Sequence, residues 1–167
     1  MAAPTVTWYP VTNNSGSPQR GNAITIIDFG NVEAGYWSDA KCVQAGFTGN
    51  SVRTLKFWLN DTASSGGNQN VSASASWKHK LSINTSFFNP DDAGITADVK
   101  NGTASNPVGV DFTTTPETEP SVSNFGVDYT IAAGEYTKYI YLCLQPPSNA
   151  ADGLTQDWGF RLSFLYP

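Results

Sequence analysis

The sequence predicts an all-β chain, an antiparallel β-sandwich preceded by an extended N-terminal arm. Long stretches alternate apolar and polar residues at period two, most clearly residues 71–83 and 136–145. Clusters of Gly, Asn, Asp, Ser and Pro punctuate them, and no helical periodicity runs beyond about two turns. A chain of 167 residues fits one domain. At that size folding buries roughly 70% of the surface an unfolded chain exposes, enough for a core without staples.

Residues 1–22 contain Pro4, Pro10, Pro18, Gly16 and Gly21 and read as an extended arm, because proline neither donates a backbone hydrogen bond nor continues a helix. Trp8 and Tyr9 sit side by side there with little local chain to bury them. They are expected to anchor the arm on a partner chain or a neighbouring copy, with packing on their own sheet as the alternative. Residues 23–167 form the single sandwich domain. Within it Ala23 to Phe29 reads as the first strand and Asp39 to Thr48 as the second. Ser51 to Leu59 is the third, with Leu55, Phe57 and Leu59 inward and Arg53, Lys56 and Trp58 on a wet face.

Residues 60–70 are turn formers with nothing to bury, and the 71–83 strand follows, with His79, Leu81 and Ile83 on its apolar side. Residues 84–123 are loop-rich, broken by NPDDAG and PETEP. Short strands are expected at Val108 to Thr113 and Phe125 to Ile131, and Asp91 to Val99 has room for one helical turn. From Tyr136 to Gln145 the chain sets Ile140, Leu142 and Leu144 on one face and Tyr139, Tyr141 and Cys143 on the other. The first face belongs to a core, and the tyrosine row needs cover from a neighbouring element or a partner. Residues 157–166 close the sandwich, with Trp158, Phe160, Leu162, Phe164 and Tyr166 on one face.

Composition narrows the function. Charged residues are 14% of the chain, against ~25% in ordinary soluble domains, and the net charge is -5. A polar, uncharged surface docks on neighbours with few charges to desolvate. No basic run occurs in the sequence, so nucleic acid is not an expected partner. No apolar run has the length of a membrane span, and MAAPTVTWYP lacks the features of a secretory signal, so synthesis in the cytoplasm is expected. His79 is the only histidine, and a core or rim imidazole is the expectation for it. Asp91, Asp92 and Asp98 lack the spacing of a calcium loop. No catalytic residue, metal or cofactor is expected. Cys42 and Cys143 allow an inter-sheet disulfide, or two reduced thiols, which cytosolic synthesis and the alternation around Cys143 favour.

Two segments carry a resemblance. Residues 27–59, IDFGNVEAGYWSDAKCVQAGFTGNSVRTLKFWL, resemble the opening of immunoglobulin-like sandwiches of the DFG-x-V-x-x-G type. Residues 136–166, YTKYIYLCLQPPSNAADGLTQDWGFRLSFLY, resemble the closing strand pair of small β-sandwich structural proteins of tailed bacteriophages. The resemblance implies an immunoglobulin-like or jelly-roll-like sandwich in a virion, most simply a capsid decoration or cement protein. A tail, baseplate or fibre component is the second placement. The implied partners are the major capsid protein or other virion proteins, with a homo-oligomer as a further arrangement. Read from the residues themselves, the expected partner-binding positions are the aromatics Trp8, Tyr9, Tyr36, Trp37 and Trp58. A carbohydrate-binding module or adhesin, stacking sugars on Tyr36, Trp37 or Trp58, is the reading from a different class.

Overall fold

The computed structural model describes residues 3–60, 78–101, 110–111, 130–150 and 159–167. In chain order its elements are β1 (Thr5–Asn14), β2 (Ser17–Arg20), β3 (Lys41–Thr48), β4 (Val52–Asn60), β5 (Lys78–Asn84), α1 (Ala93–Asn101), β6 (Val110–Asp111), β7 (Thr130–Ile131), β8 (Tyr139–Gln145) and β9 (Gly159–Leu165). They form two antiparallel sheets, a six-stranded one in the order β2-β1-β3-β8-β5-β6 and a three-stranded one in the order β7-β4-β9. The all-β sandwich read from the sequence is the fold.

Alternation explains how the sheets meet. Val43, Ala45 and Phe47 of β3, Leu81 and Ile83 of β5, and Ile140 and Leu142 of β8 leave one face of the large sheet. They pack against Val52, Leu55 and Phe57 of β4 and Ile131 of β7, making a core between the sheets. Each large side chain buried there contributes about 1.5–3 kcal/mol. Residues of the opposite parity, Cys42, Tyr141 and Cys143, build a second core on the other face with Val11, Ala40 and Val99. The cover for the tyrosine row is therefore the chain's own segment 85–101: Phe87 meets Tyr139 edge-on at 5.4 Å, and Phe88 lies 6.5 Å from Tyr141. The buried Tyr141 hydroxyl donates to the Phe88 carbonyl at 2.8 Å and accepts from the Phe88 N–H at 2.6 Å, which satisfies both backbone groups of a non-helical stretch.

Helix α1 is longer than the single turn the sequence suggests. The Asp92 carboxylate accepts from the Gly94 N–H at 2.7 Å as an N-cap, and Thr96 fixes the helix to the sheet by accepting from the buried Ala40 N–H at 3.0 Å.

Two expectations are corrected. The expected arm, described from residue 3 to residue 22, is extended but not free, because β1 pairs with β3 from Thr5 opposite Thr48 to Pro10 opposite Val43. It then turns into β2 through Ser15 and Gly16, whose φ values of 52° and 85° suit a tight two-residue hairpin. Residues 23–29 are not a strand. Ile24 alone bridges to Trp8, its N–H donating to the Trp8 carbonyl at 2.8 Å. Ile24, Ile27 and Phe29 lean on the inter-sheet core while Ile26 is 73% exposed, so the apolar residues report burial without the period-two alternation or ladder of a strand.

Strand β4 carries an irregularity. Its register against β9 shifts between Arg53 and Lys56, and Thr54 there has a φ of 54°. A β-branched residue in the left-handed region costs on the order of 1–3 kcal/mol. The shift lets Val52 and Leu55, three residues apart, both point into the core.

The expected strand at residues 71–83 is described from Lys78 onward as β5, and residues 71–77 lie outside the described residues. Of the short strands expected near 108–113 and 125–131, Val110–Asp111 and Thr130–Ile131 are described.

Candidate functional site

The five aromatic residues singled out in the sequence occupy different settings. Trp8 lies on β1 with its ring 5.5 Å from Phe57 of the facing sheet, so its apolar area is covered within its own core. Tyr9, on the opposite face of β1, meets Tyr136 edge-on at 5.6 Å. The Arg20 guanidinium lies 3.7 Å above the Tyr136 ring and donates to Gln44 Oε1 at 3.1 Å, while Gln44 Nε2 donates to the Thr137 carbonyl at 2.7 Å. Gly46 makes room for this stack. A Cβ there would lie 3.0 Å from Tyr136 Cε1 and 3.2 Å from Tyr9 Cε2. Anchoring of Trp8 and Tyr9 on a partner is thus replaced by packing on their own domain, because β1 is a strand of the sheet. Trp37 is half-buried against the second core and Trp58 half-buried against the first.

Tyr36 is different, with 62% of its surface exposed. Its backbone is held on a turn in which the Tyr36 N–H donates to the Glu33 carbonyl at 3.0 Å and Gly35 takes a φ of 81°. That turn is tied to the end of β8. Gln145 Nε2 donates to the Gly35 carbonyl at 2.6 Å, and the Gly35 N–H donates to the Pro146 carbonyl at 3.2 Å. Two residues on, the Ser38 N–H donates to the Leu144 carbonyl at 2.8 Å, and Ser38 Oγ accepts from the Leu144 N–H at 3.1 Å. An exposed phenol on an immobilised turn loses little further freedom when a partner covers it, which is the property of a binding anchor. Neighbouring Trp37 roots the same turn in the core beneath.

The reactive groups are buried. Burial pulls the His79 imidazole from its ordinary 6.5 down to about 4, so it is neutral at pH 7. Burial pushes the Cys42 thiol up to about 12, against the lowering effect of its hydrogen bond with Tyr141, and leaves it a poor nucleophile. Tyr141 is likewise held well above its usual range, chiefly by burial. Cys42 and Cys143 are buried on the same face of the large sheet and are not joined in a disulfide. Cys42 stands opposite Tyr141, so Cys143 is its diagonal neighbour, at a Cα spacing of roughly 7–8 Å that exceeds disulfide reach. Among the described residues no group of three or more His, Cys, Asp or Glu is arranged to hold a metal ion, and no helix is long and apolar enough to cross a membrane.

No protein-family model matches the chain, and comparison with curated proteins finds no match.

Proposed function

We propose that this chain is a non-enzymatic structural component of a bacteriophage virion, a capsid decoration or cement protein held on the assembled shell through exposed aromatic surface. The observation that carries the docking role is Tyr36, 62% exposed on a turn fixed to β8. Its placement in a virion rests on the resemblance of residues 136–166 to closing strands of phage structural proteins. A protein that binds only the assembled shell stabilises it by mass action, since dissociated subunits offer it no site. The low share of charged residues, 14%, keeps the desolvation cost of such docking small.

The test is mass-spectrometric stoichiometry of purified particles containing the protein, with a Tyr36→Ala variant alongside. Many copies per shell, falling at least about tenfold in occupancy for the variant, support the decoration role, since truncating a central aromatic anchor typically costs about 2 kcal/mol or more. A few copies per particle assign it to the tail, baseplate or fibre instead. Absence from particles overturns the virion reading.

A further inference from the structure

The strands of the three-stranded sheet gather cationic residues on an acidic protein. Across β4 and β9, Arg53 stands opposite Leu165, Lys56 opposite Ser163 and Trp58 opposite Arg161. Three of the chain's nine Lys and Arg residues therefore stand on two adjacent strands, and Val52–Asn60, Gly159–Leu165 and Thr130–Ile131 contain no Asp or Glu. The register shift at Thr54 sets two residues between Arg53 and Lys56 against one on β9, bringing both cations to the side away from the core. Arg53 and Ser163 are exposed, Leu165 is 56% exposed, and Lys56 and Trp58 are half-buried. No ion pair among the described residues involves Arg53 or Lys56.

The counter-charge lies on the other pole. Asp91 and Asp92 are exposed just before α1, in the segment that covers the far face of the large sheet. The basic face carries a tryptophan, and the Asp91–Asp92 corner lies on a different surface, the side of the large sheet that also carries Lys78 and Lys80 of β5.

We propose that the outward face of the three-stranded sheet, centred on Arg53, Lys56 and Trp58, docks head to tail onto the Asp91–Asp92 corner of a second copy of this chain. Charge complementarity selects the occupant, because the chain outside this face carries a larger acidic excess than the chain as a whole. Trp58 and Leu165 supply apolar area for the contact, and the charges supply orientation. Two unlike patches make a heterologous interface, which propagates into a ring or an array. The contact is independent of the Tyr36 turn and of any virion placement.

Sedimentation velocity on the full chain tests it. The wild type is expected to self-associate, with affinity falling at least about tenfold between ~50 and ~500 mM NaCl as screening shortens. The pair Arg53→Glu/Lys56→Glu, with acidic charge on both surfaces, and Asp91→Lys, which cancels the negative charge of the corner, are each expected to stay monomeric with wild-type circular dichroism. An equimolar mixture of the two is expected to restore association, because each supplies the charge the other needs. Asp91→Lys leaves the Asp92 cap intact, so that arm stands even if the double variant fails to fold. A wild type that stays monomeric at low salt, association that persists in both variants, or a mixture that does not associate overturns the proposal. A monomeric wild type that binds a labelled oligo-dT through Arg53 and Lys56 also overturns it, and reassigns the face to nucleic acid.

Discussion

His79 sits on β5 with 7% of its surface exposed, and its titration is a consequence of that burial. Its pKa is lowered to about 4 in the folded chain from 6.5 in the unfolded one, so between those values the unfolded chain binds more protons. The stability that goes with a neutral imidazole is full above about pH 6.5 and is lost as the pH falls toward 4, amounting to roughly 3 kcal/mol at 1.36 kcal/mol per pKa unit. Denaturant unfolding between pH 4 and 7 should therefore show a steeper loss of stability for the wild type than for His79→Gln, the carboxylates being common to both. Parallel curves would place the imidazole's charged form in contact with water. The sequence showed His79 on the apolar side of a strand, and that much was enough to expect a core imidazole. What it could not show was Gly46, whose missing side chain matters only because Tyr9 and Tyr136, from distant parts of the chain, close over it.

At the scale of elements, the strands that alternate cleanly were legible: β3, β8 and β9 lie within expected stretches, and β4 and β5 each run one residue past theirs. The errors share a physical origin. Residues 23–29 are apolar because Ile24, Ile27 and Phe29 lean on the core, and nothing local reveals that the pairing with β1 is an isolated bridge at Ile24. The N-terminal hairpin was read as an arm because its prolines and glycines are turn formers, whereas pairing with β3 more than thirty residues away decides its state. That pairing reverses the natural expectation for a truncation. Removing residues 1–22 takes Val6 and Trp8 from contact with the inter-sheet core, Val11 from the second core and a ladder partner from β3. Each large core truncation alone costs about 2–5 kcal/mol, so the truncated chain is expected to be unfolded or strongly destabilised by thermal denaturation. A truncated chain with an unchanged melting temperature would mean that β1 is peripheral after all.

For the whole molecule, the sandwich class was readable because period two and turn spacing act locally, while the candidate site was readable only in part. The sequence offered five aromatics without saying which are covered, and the turn that exposes Tyr36 is held by Gln145, 110 residues beyond Gly35. Likewise the basic face is invisible as a run, since a register shift and two strands assemble it. One arrangement bears on how the fold opens. The large sheet is covered on both faces, by the small sheet on one and by the 85–101 segment on the other, and β8 lies inside it with a paired strand on each side. Among the described residues, the small sheet is covered on one face. Solvent deuterons should therefore reach the two sheets on different clocks, with the Ile140 to Leu144 and Val43 to Phe47 amides exchanging only through global unfolding and those of β9 through smaller, more frequent openings. Hydrogen exchange followed residue by residue would show this as two tiers of protection. Equal protection in both sheets would instead make the sandwich a single cooperative unit, in which no layer can loosen while the other stays closed.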